Sequence, residues 1–140
     1  MNEKRHETMK LNGSYRSSKL EEMCFHILHF AYPRLIRQHH TKKYPFACDF
    51  YDPDSDTYFE FNGTWTHGGH FFDENNKEDQ KKLELWKSKN TKYYENAIKT
   101  WTVRDVAKKR CAIENKLNYI VFWSIDEALE YVLNAFKYIH

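Results

Sequence analysis

The chain has 140 residues, 41% hydrophobic and 17% aromatic, which suits one domain with a real core and argues against a disordered chain. Its 22 Lys and Arg against 20 Asp and Glu leave a formal net charge of +2, which does not by itself mark a nucleic-acid binder. No apolar run approaches the ~20 residues needed to span a bilayer, and the polar N-terminus lacks a signal peptide's hydrophobic stretch. Cys24, Cys48 and Cys111 are scattered with no CxxC pair, so they read as thiols of a protein of the reducing cytoplasm.

Residues 1–16 show no periodicity and include Asn12-Gly13, and are expected to form a mobile arm. A single domain is expected over 17–140. Ser17 or Ser18 should open the first helix, because Ser18 and Glu21 have the spacing of a capping box. Leu20, Met23, Cys24, Ile27, Leu28 and Ala31 form its apolar stripe, and Tyr32-Pro33 should end it. A short strand is expected from Arg34 to Gln38.

Residues 46–62 read as a hairpin. Phe46, Cys48 and Phe50 alternate with Ala47, Asp49 and Tyr51, and Phe59 and Phe61 alternate with Tyr58, Glu60 and Asn62, the pattern of half-buried strands. The four-residue turn Pro53-Asp54-Ser55-Asp56 sets the register: Tyr51 faces Tyr58, Phe50 faces Phe59, Asp49 faces Glu60 and Cys48 faces Phe61. Asp49 and Glu60 are thereby expected on one polar face, with β-carbons about 4.5–5.5 Å apart. Like charges so placed repel unless a proton or cation lies between them, and a divalent metal is the simplest remedy.

Gly63 to Gly69 is a loop. Helices are expected over 77–89, 92–99 and about 103–114, a strand over 118–123, and a closing helix opened by a second capping box, Ser124 to Glu127. The fold class is α/β (α+β), a small mixed sheet flanked by helices.

Several side chains join the carboxylate pair. Asn62 shares the face of Glu60, and His67 follows within one short loop. Glu21 sits at the edge of the first helix's apolar stripe, where a capping role and delivery to the metal face are equally open. His67 suits a general base, or a group that orients water or stabilises the leaving oxygen. His70 completes an HxxH spacing that is weak as a metal signal. Trp65 lies beside the site and is the better stacking platform; Trp86 reads as core. Arg104 and Lys108 lie on a predicted helix and could hold phosphates, though a solvated face accounts for them equally well.

The strings Cys48-Asp49-Phe50-Tyr51, Phe59-Glu60-Phe61-Asn62-Gly63 and Trp65-Thr66-His67 resemble the PD-(D/E)xK nuclease superfamily. More closely, they resemble the branch of the very-short-patch mismatch-repair endonuclease and phage-type homing endonucleases. The stretches His67 to Asn76 and Trp101 to Asp105 are similar to small members of that branch. The resemblance implies a restriction-endonuclease-like αβββαβ core and Mg²⁺-dependent hydrolysis of DNA, with Mn²⁺ as a substitute. It implies Asp49 as principal metal ligand, Glu60 as second ligand or water activator, His67 as the catalytic histidine and Glu21 as the helical glutamate. The backbone carbonyl of Phe61 is expected to converge with Asp49 and Glu60 on the ion. The superfamily's lysine after the glutamate is replaced by Asn62, which cannot supply a positive charge. No structural zinc is expected. DNA is the expected partner, read with a homodimer or a larger targeting protein, in the cytoplasm of a phage or bacterial host. The alternatives are an inactive nucleic-acid-binding module on a nuclease fold and a metal-dependent hydrolase of RNA or another phosphate ester.

Overall fold

A computed structural model describes residues 14–139, which fold as a four-stranded mixed sheet flanked by helices. Helix α1 (Ser14–Ala31) leads into β1 (Ile36–His39), β2 (Cys48–Asp52) and β3 (Thr57–Phe61). A 3-10 turn (Trp65–His67) follows. Then come α2 (Lys77–Lys89), α3 (Lys92–Lys99), a π-helical segment (Thr100–Arg104), α4 (Asp105–Glu114), β4 (Asn118–Phe122) and α5 (Ile125–Ile139). The strands lie in the order β1-β2-β3-β4, antiparallel up to β3 and parallel between β3 and β4. A parallel neighbour needs a long crossover, which α2, α3 and α4 provide.

The hairpin forms in the expected register, Phe50 against Phe59 and Tyr51 against Tyr58, across the four-residue turn. Asp52 fixes that turn: its buried carboxylate accepts the amide and hydroxyl of Ser55. Three expectations need correction. The first helix starts at Ser14, so residues 14–16 belong to it and Ser18 with Glu21 lies inside it, not at a cap; the rest of the expected arm lies outside the described residues. Next, β3 is buried along its whole length, because Tyr44, Tyr119 and Cys111 of α4 pack on the face that alternation assigns to solvent. Finally, the β2–β3 ladder stops at Phe50 and Phe59, so the expected Asp49–Glu60 and Cys48–Phe61 pairs are not part of it, and Cys48 packs with Tyr44 and Tyr58.

Burial forms three clusters. Cys24 and Leu28 of α1, with Ala128 and Val132 of α5, cover Phe50, Phe59, Phe61 and Phe122 on one face of the sheet. Tyr44, Cys48 and Tyr58 pack on the other side against Cys111 and Tyr119. Trp86, Ala97 and Trp101 knit the crossover helices together. At the start of α5 the expected capping box is made: Ser124 Oγ accepts the amide of Glu127, while the Glu127 carboxylate accepts the amide of Trp123. Among the described residues no helix is long and apolar enough to cross a membrane.

Candidate active site

Strands β2 and β3 part company beyond Phe50 and Phe59, and two carboxylates fill the opening. The Asp49 amide donates to Glu60 Oε1 at 2.8 Å, and the Phe61 amide donates to Asp49 Oδ2 at 2.9 Å. Each acid thus takes a backbone donor that a continued ladder would have used, which is why both side chains are held at the sheet's end.

Their surroundings differ. Glu60 is 1% exposed and both of its oxygens have partners: beside the Asp49 amide on Oε1, Oε2 accepts the hydroxyl of Tyr44 at 2.5 Å and the ammonium of Lys108 at 2.8 Å. Tyr44 is itself buried and lies 3.1 Å from the Tyr119 hydroxyl; with its own hydrogen given to Glu60, Tyr44 accepts from Tyr119. Burial alone would push the Lys108 ammonium down, but the charge and hydrogen bond of Glu60, helped by Asp49 and Asp105, outweigh it and raise its pKa. The cation beside Glu60 is therefore a lysine of this chain, which removes the electrostatic reason for a metal on that residue. Lys108 is correspondingly withdrawn from the expected DNA-facing surface.

Asp49 is half-buried and keeps Oδ1 without a partner among the described residues. Its pKa is raised well above the carboxylate range, first by burial and then by the neighbouring charges of Glu60 and Glu21; the Phe61 amide and Lys108 act the other way. Glu21 has no capping duty and its charge is felt at Asp49. An Arg37 guanidinium approaches Glu21 at 3.8 Å, whereas Glu22 binds Arg37 at 2.6 Å and His26 at 3.2 Å. A crowded, partly desolvated acid with one open oxygen suits a hard cation that is held by one or two carboxylates and completes its shell with water and phosphate. The residues present fit such an ion at Asp49, with Glu21 close by; they do not fit Glu60 as a ligand. Among the described residues no three His, Cys, Asp or Glu side chains converge as a metal cluster.

From Phe61 the chain passes through Asn62, which is 4% exposed, and Gly63 into the turn that carries His67. His67 Nδ1 lies 2.6 Å from Asp105 Oδ2, and Asp105 is 1% exposed with Oδ1 unpartnered among the described residues. The carboxylate selects the Nδ1–H tautomer of the neutral ring, so Nε2 carries the lone pair. Asp105 reaches this position because the π-helical segment sets the start of α4, its amide bonding back to the Thr100 carbonyl. Gly68 completes the support. Its φ of 75° is left-handed, and a Cβ there would lie 2.2 Å from the Trp101 ring.

The remaining expected residues stand apart. His70 Nε2 lies 2.7 Å from buried Asp79, whose other oxygen accepts the Asp73 amide at 3.0 Å. Trp65 is 42% exposed but packs edge-on against Trp86 and beside Tyr93 and Tyr94, above a cleft of about 420 Å³ reached by Lys82 and Trp123. Arg104 is exposed in the π-helical segment.

No sequence motif singles out Asp105 or Tyr44. The only trace of Asp105 is its place in the Trp101-Thr-Val-Arg-Asp string; Tyr44 leaves none, because its partner is fixed by tertiary packing. Comparisons with protein-family models, with curated proteins and with solved structures find no match.

Proposed function

We propose that this protein is a metal-dependent endonuclease that hydrolyses phosphodiester bonds in DNA. One observation carries the reading. Asp49, with an open oxygen and Glu21 nearby, sits at the split end of β2 and β3, and the turn that leaves β3 presents His67 already oriented by a buried carboxylate. A divalent ion bound at Asp49 would polarise the scissile phosphate and acidify a bound water. His67 Nε2 is the base that takes the water's proton, and Asp105 holds the ring and stabilises the imidazolium that forms. The αβββαβ order and the motif resemblance support the same reaction class, with Mg²⁺ the natural ion for an oxygen-ligated site.

A second reading draws on the engagement of Glu60 by Lys108 and Tyr44, which leaves Asp49 alone where the resemblance implies two strand carboxylates at the metal. On it the chain is a nucleic-acid-binding module without catalysis. Incubation with Mg²⁺ and a supercoiled plasmid library of randomised inserts separates the two. The nuclease reading expects nicked or linear product from the wild type and none from Asp49→Ala. Salt-sensitive retardation that ignores both Mg²⁺ and Asp49 would establish the binding module instead, and cleavage of RNA but not DNA would reassign the substrate.

A further inference from the structure

We infer that Glu60 and Lys108 form a positioning strut, not part of the metal site, and that the strut sets Asp105 against His67. The inference rests on the proposed nuclease reading for its functional meaning, but its tests do not require cleavage. Three donors converge on Glu60: the Asp49 amide, the Tyr44 hydroxyl and the Lys108 ammonium, at 2.8, 2.5 and 2.8 Å. With three donors on a residue that is 1% exposed, a metal could take Glu60 Oε2 only by expelling the lysine, leaving a buried ammonium without its partner, and Oε1 is already held by the Asp49 amide. Lys108 lies one turn beyond Asp105 on α4, so their side chains share a face of that helix. The ion pair therefore ties α4 to β3 at the turn next to the one that carries Asp105. Tyr44 and Tyr119 secure the β3 end, since the Tyr119 hydroxyl steadies the Tyr44 hydroxyl that binds Glu60. Among the described residues the Asp105 carboxylate makes a hydrogen bond or ion pair with no side chain but His67, and Lys108 acts on it only at longer range. Its placement thus depends on where α4 is held.

Two measurements on the full chain without nucleic acid test this. The first is Mn²⁺ affinity read by electron paramagnetic resonance. Glu60→Gln is expected to leave it within about twofold of wild type, while Asp49→Asn weakens it by about tenfold or more. Equal losses in the two variants would make Glu60 a ligand and overturn the strut. The second is the ¹⁵N spectrum of His67. Lys108→Met is expected to replace the single Nδ1–H tautomer by an averaged signal, and Lys108→Arg to restore it; an unchanged signal in Lys108→Met would equally overturn the proposal. Should Lys108→Met fail to fold, the double variant Glu60→Leu/Lys108→Leu removes both buried charges together. It keeps wild-type Mn²⁺ affinity if Glu60 is an anchor and loses it if Glu60 is a ligand. A protein that cuts no DNA would still give these answers, so failure of the strut and failure of the nuclease reading are separable.

Discussion

Asp105 is the residue whose loss best separates orientation from stability. An amide at this position preserves shape but presents either an NH₂ to the ring or a weaker acceptor, so Asp105→Asn should leave folding intact while releasing the tautomer of His67. We expect cleavage to fall by about 10²–10⁴, the range a positioned general base contributes. His67→Ala should cost a similar amount, and the double variant should add little, because residues acting as a unit are not additive. Single-turnover rates on one cleaved substrate check all three. Gly68→Ala makes the complementary point: a left-handed φ and a Cβ 2.2 Å from the Trp101 ring together should cost on the order of 1–3 kcal/mol or more in urea titration. At this scale the sequence reveals chemistry unevenly. Asp49 and His67 stand in short motifs and are legible. The partner that orients His67 lies 38 positions away and became neighbour to it only through the crossover.

Among the elements, the hairpin was readable because a period of two and a four-residue turn leave little freedom of register. What alternation could not show was that its second strand would be covered on both faces. That burial turns Glu60 from a solvated acid into one that needs a lysine. Removing the lysine should therefore hurt more than removing the pair. Lys108→Met is expected to destabilise by about 3–5 kcal/mol, and Glu60→Leu/Lys108→Leu by clearly less; chemical denaturation of both variants decides it. Phe59→Ala, which empties the centre of the larger cluster, should cost about 3–5 kcal/mol by the same measurement. The capping boxes divide in the same way. Ser124 to Glu127 sits where a strand ends and a helix must begin, and forms as expected. Ser18 to Glu21 has the same spacing but lies four residues inside a helix that starts at Ser14, so local pattern alone does not mark a helix start.

For the molecule as a whole, the aromatic content that predicted a core also sets its response to alkali. Burial raises the hydroxyls of Tyr32, Tyr44 and Tyr119, and a hydrogen bond to Asp56 raises Tyr51 to about 12. Burial likewise raises the Cys24 thiol to about 12. A folded pKa above the unfolded one stabilises below the unfolded value and loses that contribution as pH rises through the folded value. With unfolded tyrosine near about 10 and cysteine near about 8.5, the melting temperature should fall steadily from about pH 9 to 12. Tyr44→Phe should flatten that fall, because it deletes one of the raised groups. A melting temperature unchanged across the range would contradict these shifts.

The proposed chemistry requires one cation held at Asp49 where the His67 ring can address the same phosphate. Diffraction from crystals grown with Mn²⁺, recorded at the metal's absorption edge, tests it directly. The predicted result is a single anomalous peak at about 2.0–2.3 Å from an Asp49 oxygen, with Glu60 still bound to Lys108. Fully loaded crystals with no peak at Asp49 would contradict it.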